Sequence, residues 1–416
     1  MAGTDLEALK TAAKTAWLYA LPLVEIATTR QRGLLVGSRM NTFGYMRNLA
    51  DHRSRGVTTP NNDTFYATAQ IDLSAGPVTI NLPAAGERYL SLALMDAYTN
   101  NFAILGTRTT GGDGGTFTLV GPTDAAEGPN VVRSPTRHVW ALARILVEGP
   151  HDLEASRAVQ RGVSMQGPAV EPGEPYAPRS ASWAEYFASA ARLMAENPPP
   201  VTDRKVLAQM APLGLDRFDP SRFGADEIAA IEAGVAEGRL AARKGGLGGS
   251  AFDGGWSYPN ARLGDFGQDY EQRASVALSG LAALPPVEAM YMRAEAPDGR
   301  DLFDGTQAWR LSFPAGALPP VHSFWSLSLY EPTDDGQFFF ADNPLNRYAI
   351  GDRTPGLKTN ADGSLDLWIG HEHPGAEREG NWLPAPAGPF ALFMRCYLPK
   401  GELLDGGYRL PRVEPA

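Results

Sequence analysis

Apolar residues recur along this chain with two different periods, and the period changes three times. Near the start, Leu6, Leu9, Ala13, Ala16 and Leu21 fall at helical spacing, with Thr4 as a candidate N-cap and Glu7 three residues on. This predicts an opening helix that Pro22 ends or kinks. From about Val57 to Val147 strict alternation takes over. "RYLSLALMD" puts Leu90, Leu92, Leu94 and Asp96 on one face and Tyr89, Ser91, Ala93 and Met95 on the other. "TFTLVGP" and "RHVWALARILV" read as further strands, and the glycine-rich "GTRTTGGDGG" as a long hairpin loop.

Between about 150 and 285 the helical period returns in "ASWAEYFASAARLMAENPPP", "DEIAAIEAGVAEGRLAARKG" and "GQDYEQRASVALSGLAAL", broken by the prolines at 198–200 and the glycines at 245–249. After Pro286 strands resume with "EAMYMRAEA", "AWRLSF", "FWSLSLY", "SLDLWIGH" and "GPFALFMRCYLP". No fixed-period repeat is visible. The pattern predicts a mainly β protein with helices, of α+β class. It would hold two β-sandwich or jelly-roll-like domains, 1–150 with the opening helix and 286–416, joined by a mostly helical connector, 151–285.

Composition narrows the partners. The chain has 416 residues, 43% hydrophobic and 20% charged, with net charge -10. Lys and Arg are scattered, so no basic patch exists to neutralise phosphates, and nucleic acid is not an expected partner. Cys396 is the only cysteine, which rules out an internal disulfide and a cysteine-based metal site within one chain. No run approaches the ~18 apolar residues of a membrane span. The N-terminus lacks the basic head, apolar run and small-residue cleavage site of a signal peptide, so the expected location is cytoplasmic.

No GxSxG elbow, P-loop, HExxH or dinucleotide fingerprint is present. The glycines of "GTRTTGGDGG" lead into a strand, where a phosphate cradle needs a helix N-terminus. In "SLDLWIGHEHPG", alternation places His371 with Leu365, Leu367 and Ile369, toward the sandwich interior. His373 would share that face and could complete a metal pair, although bound metal and cofactor are both expected to be absent. Arg144 and Arg395 lie in apolar strands, so each needs a carboxylate or carbonyls, or serves as anchor for an anionic ligand. The stretch "TTPNNDTFYATAQID" holds more polar groups than a turn requires. With Arg88, Asp96, Tyr98, Asn100, Asn101 and Arg108 it suits either a small-molecule site or a network tying loops down.

Several blocks resemble known bacterial families. "VTTPNNDTFYATAQIDLSAGPVTINLP", "RYLSLALMDAYTNNFAILGTRTTG" and "SPTRHVWALARILVEGPHDL" are similar to the domain of unknown function 1254. "FWSLSLYE", "NPLNRYAIGDR", "DGSLDLWIGHEHPG" and "NWLPAPAGPFALFMRCYLP" resemble its usual companion, the domain of unknown function 1214. The resemblance implies two sandwich or jelly-roll-like domains with helices between and around them. Many members of the family carry an export signal or lipid anchor, which sets the cytoplasmic expectation against the family pattern.

The residues favour an enzyme acting on a small polar or carbonyl-bearing molecule by acid–base chemistry, as a hydrolase, lyase or isomerase. Asp63 and His371 are the candidate proton-transfer groups and Tyr66 an auxiliary donor. Asn62, Arg88, Asp96, Tyr98, Asn100, Arg108 and Trp382 are the candidate substrate contacts. The alternative is a non-catalytic carbohydrate- or ligand-binding protein in which loop aromatics such as Trp382, Tyr98 and Trp256 stack on the ligand. An assembly factor would instead show a broad apolar surface. Homo-oligomerisation is left open.

Overall fold

The computed structural model describes residues 5–244, 248–334 and 336–416. Helix α1, Leu6–Leu35, opens the chain. Its N-cap is Asp5, whose side chain accepts from the backbone N–H groups of Glu7 and Ala8, while the expected cap, Thr4, lies outside the described residues. Pro22 sits inside the helix and does not end it. Proline costs an interior helix about 3 kcal/mol, and the unbroken run of buried residues from Ala16 to Ala27 offsets this, because neighbours pack all around that stretch. Those neighbours include α2, Trp183–Glu196, α3, Ala225–Lys244, and α4, Tyr270–Ser279. Together the helices form one layer with an aromatic core of Trp17, Tyr19, Tyr98, Tyr186 and Phe187.

Two sandwiches carry the remainder. In the first, strands run β1 Thr64–Asp72, β2 Val78–Leu82, β3 Leu90–Asp96, β4 Asn101–Gly106, β5 Gly115–Val120, β6 Val131–Arg133, β7 His138–Leu146 and β8 Ser164–Gln166. The second runs β9 Ala289–Ala294, β10 Trp309–Phe313, β11 Trp325–Pro332, β12 Ala349–Gly351, β13 Leu365–Gly370, β14 Trp382–Pro384, β15 Pro389–Tyr397 and β16 Val413–Pro415. Short strands extend the sheets at their edges, among them Trp256–Pro259 beside β9. Both sandwiches therefore reach past the boundaries expected at 150 and 285, since β8 returns to the first sandwich and Trp256–Pro259 joins the second.

The two sandwiches repeat each other strand for strand. One sheet of the first is ordered β1-β7-β3-β4, and its counterpart is β9-β15-β11-β12. The other sheets read β6-β5-β2-β8 and β14-β13-β10-β16. Even the parallel pairs match, β5 with β6 and β13 with β14. This duplication escapes a fixed-period scan because the matching loops differ in length, for example 83–89 against 314–324. The glycine-rich stretch after β4 is a crossover from one sheet of the sandwich to the other, which corrects the hairpin expectation.

Alternation within β3 holds as read: Leu90, Leu92 and Leu94 enter the first sandwich core with Phe65, Ile71 and Ile145. The opposite face is buried as well, since it packs on the second sandwich, where Tyr89 and Ala93 meet Phe324, Tyr397 and Leu398. Register then aligns one row across each facing sheet. In the first it reads Tyr66, Arg144, Ser91, Gly106, and in the second Tyr291, Arg395, Ser326, Gly351. Both glycines mark a close approach: a Cβ on Gly106 would stand 2.1 Å from the Leu90 carbonyl, and one on Gly351 2.1 Å from that of Trp325.

Candidate functional site

The contacts between the sandwiches are reciprocal, as a two-fold relation produces. Arg108, two residues after Gly106, donates to Glu288 at 2.5 Å. Arg353, two residues after Gly351, donates to Asp63 at 3.1 Å. Each carboxylate stands three residues before the tyrosine of its own row, and each accepts a further hydroxyl: Tyr89 donates to Glu288 at 2.8 Å, Ser326 to Asp63 at 2.6 Å. Asn61 adds a bond from its Nδ2 to the Tyr397 hydroxyl at 2.7 Å. The polar cluster around residue 61 is thus a fastening between domains.

The sequence candidates separate into three places. Asp63, Tyr66 and Arg108 belong to the interface, with Asn62 half-buried on the same loop. Asp96, Tyr98 and Asn100 form a turn against the helical layer. The Asp96 carboxylate accepts from the backbones of Tyr98 and Asn100, and the Tyr98 hydroxyl donates to the Asn197 carbonyl. Arg88 is engaged elsewhere, by two bonds to Asp152 and one to Ser156. His371 and Trp382 lie in the outer sheet of the second sandwich. His371 is exposed just beyond β13, where Nδ1–H donates to the Ala385 carbonyl, so it does not enter the sandwich interior or meet Asp63. His373 pairs instead with Glu379 at 2.8 Å. Trp382, Tyr98 and Trp256 are buried core residues, not loop platforms. No carboxylate lies within ion-pair distance of Arg144 or Arg395 among the described residues; of the expected partners each has a backbone carbonyl, Ala282 for Arg144 and Thr59 for Arg395.

A small cleft of about 60 Å³, open to solvent, lies at the far end of the first sandwich, under α1. Strand register places Asp72, the last residue of β1, opposite His138, the first of β7. Arg137 clamps Asp72 through two bonds of 2.8 and 2.7 Å. Burial works to raise the Asp72 carboxyl, but hydrogen bonds from Arg137, His138 and Ser74 outweigh it and hold it well below the ordinary range. His138 lies between two acids, its Nε2 3.5 Å from Asp72 and its Nδ1 3.8 Å from Glu196. Asn197 fixes the ring: its Oδ1 accepts from the His138 backbone, so its Nδ2 faces Nδ1 at 3.1 Å and the ring proton sits on Nε2. Burial lowers the imidazole, keeping it neutral near pH 7.

Glu196 ends α2 and reaches the cleft with its side chain 24% exposed. Tyr176 donates to it at 2.6 Å, and burial followed by that carboxylate pushes the phenol up to about 12. Arg30, on α1, is 7% exposed and forms no hydrogen bond or ion pair with a described residue. It stands 5.6 Å over the Tyr176 ring. A guanidinium stays charged under all ordinary conditions, so this cleft holds one buried positive charge without a bonded counter-ion.

Models of two families match the chain, the protein of unknown function 1254 over residues 40–167 and the protein of unknown function 1214 over 288–401. The chain belongs to this two-domain arrangement. Both rows and both interface carboxylates fall inside the two matched spans. The 1254 domain supplies Asp72, Arg137 and His138 to the cleft, while Arg30, Tyr176 and Glu196 come from outside either span. Among solved structures, the VPA0106 protein from Vibrio parahaemolyticus is similar, with 23% identity, TM-score 0.74, and 98% of this chain and 100% of that chain covered. An uncharacterized protein from Burkholderia cenocepacia matches at 12% identity and TM-score 0.48, covering 98% and 94%. The first shares the fold. No curated protein matches the chain.

The cleft residues were not singled out from the sequence. His138 could have been flagged, being one of six histidines and opening a strand whose alternate residues include Arg144. Its partners could not, since Glu196 and Arg30 come from separate helices.

Proposed function

We propose that this protein is an enzyme acting on a small carboxylate- or carbonyl-bearing molecule by acid–base chemistry, with the cleft under α1 as its site. The observation that carries the reading is Arg30, a buried and unbonded guanidinium facing the same open space as Glu196. Arg30 would hold the anionic or carbonyl end of the substrate. Glu196 would accept the proton, and Tyr176, protonated at neutral pH, would return one. His138 acts through its neighbours, since both ring nitrogens already face Asn197 and Asp72.

A thermal-shift screen of small carboxylates, lactones and amides tests this, followed by turnover assays on the hits. We expect wild-type protein to be stabilised by at least one member and Arg30→Met to lose that shift. Glu196→Gln should keep the shift and lose turnover by about 100-fold or more. A shift that survives Arg30→Met removes the cleft from consideration. Binding with full retention of the ligand and no product in wild type would favour the non-catalytic reading, which is supported by both ring nitrogens of His138 being engaged.

A further inference from the structure

The duplication allows each buried arginine to be judged against its twin. Arg144 and Arg395 are both 5% exposed and occupy the same place in the two rows. Each donates through Nη2 to a carbonyl of the partner sandwich's approach loop, Arg395 to Thr59 at 3.0 Å and Arg144 to Ala282 at 2.8 Å. Both acceptors sit at positive φ, 47° for Thr59 and 73° for Ala282, so even this unusual backbone is repeated.

The Nη1 atoms break the match. In Arg395 it donates to Ser328 Oγ at 2.7 Å; the ring beneath the guanidinium is no difference, since Arg395 lies 5.6 Å over Tyr330 and Arg144 5.6 Å over Tyr66. In Arg144 it is closed off from solvent and has no acceptor among the described residues. The cause is legible in the chain. Ser328 and Tyr330 stand two and four residues after Ser326, and the residues two and four after Ser91 are Ala93 and Met95. The first sandwich has the arginine without the serine hydroxyl that its twin uses. After burial, phenols act most strongly on both guanidinium groups, Tyr330 and Tyr397 on Arg395 and Tyr66 and Tyr291 on Arg144; Asp63 follows them at Arg395, and further phenols, Tyr397 and Tyr89, at Arg144. Neutral phenols supply dipoles but no counter-charge, and an uncompensated buried cation costs several kcal/mol.

We propose that Arg144 binds a small monovalent anion, of halide or formate size, at Nη1, in the place that the Ser328 hydroxyl takes beside Arg395. A solvent-closed donor admits nothing bulky; a water would satisfy the N–H as the Ser328 hydroxyl does beside Arg395, whereas an anion would offset the buried charge as well. Such an anion would act as a buried fastener between β3, β7 and the residues leading into β9.

The full chain tests it by thermal melting in sodium chloride or sodium formate, each against the sodium salt of a bulky sulfonate at equal ionic strength. Wild type should gain a few degrees, saturably, in the small anions alone. Ala93→Ser rebuilds the twin's acceptor, so it should melt higher in the bulky salt and lose the response to chloride and formate. Identical wild-type melting in all salts would overturn the proposal, with water as the partner of Nη1. A response undiminished in Ala93→Ser would overturn it as well, placing the anion elsewhere. Should that variant fail to fold, wild-type crystals soaked in bromide decide the matter: an anomalous peak at hydrogen-bonding distance from Arg144 Nη1 supports the site, and its absence from ordered crystals rejects it.

Discussion

The two sandwiches share their strand order, their register, their buried arginine and their reciprocal carboxylate, yet only the first opens onto the cleft. Six residues before the shared arginine, the first sandwich has His138 and the second Pro389. Proline there can neither titrate nor donate. Equivalent rows hold the molecule together, and the strand ends that are not equivalent, where β1 and β7 run out under the helical layer, carry the titratable side chains. Repeated features in this fold accordingly mark structure, and departures from the repeat mark candidate chemistry.

The sharpest way to break that comparison is to delete the interface carboxylates one at a time. Glu288→Ala removes the carboxylate that Arg108 and the Tyr89 hydroxyl share, leaving Tyr89 only Ser91, and Asp63→Ala removes the one that Ser326 and Arg353 share, leaving Arg353 the Val147 carbonyl and Asp352. Each should cost about 1.5 to 3 kcal/mol in urea denaturation. Two similar losses would support equivalence, while a loss below about 1 kcal/mol at either position would show that one of the pairs holds nothing together. The expected loss of stability also separates Asp63 from a catalytic carboxylate, which could be replaced without unfolding the chain.

A smaller effect should distinguish the units. Asp352 follows Gly351, and its counterpart after Gly106 is Thr107. Burial pushes the Asp352 carboxyl up to about 6, with Arg353 opposing. A carboxyl raised in the folded state binds its proton more tightly there than in the unfolded chain, so stability falls as pH rises from about 4 to about 6. Asp352→Asn should therefore stabilise the protein at pH 7.5 and have no such effect at pH 4. The side chain keeps 29% of its surface exposed, and with solvent screening the gain is about 1 kcal/mol. Denaturation at the two pH values measures it, and an equal effect at both would dismiss the buried-acid account.

The smallest effect belongs to the surface. Arg409 and Asp253 pair at 2.8 Å with side chains 43% and 64% exposed. Arg409→Ala should change stability by less than about 1 kcal/mol, mostly at low salt. A large loss would mean that exposed pairs fasten this protein as firmly as the interface ones.

Much of the architecture was legible because it depends on local chemistry. Alternation in "RYLSLALMD" identified the core face of β3, and helical spacing identified α2, α3 and α4. Pro22 misled because a local rule was overridden by burial that only the surrounding helices provide. His371 misled because alternation was carried past Gly370, where β13 ends. The polar cluster at residues 61 to 66 was recognised as more than a turn, but its partners, Ser326, Arg353 and Tyr397, come from the other half of the chain. No spacing rule connects such residues.

By itself the sequence determined the periods, and with them which segments became helix or strand and which face of each strand was apolar. It also set the family, through blocks of residues that stay contiguous along the chain. Only the tertiary structure decided that the two sandwiches are copies, that Asp63 and Glu288 are fastenings, and that Arg30, His138 and Glu196 share one cleft. The reason is physical: side-chain period is a property of neighbours in sequence, whereas burial, pairing and enclosure arise among residues that only folding brings together.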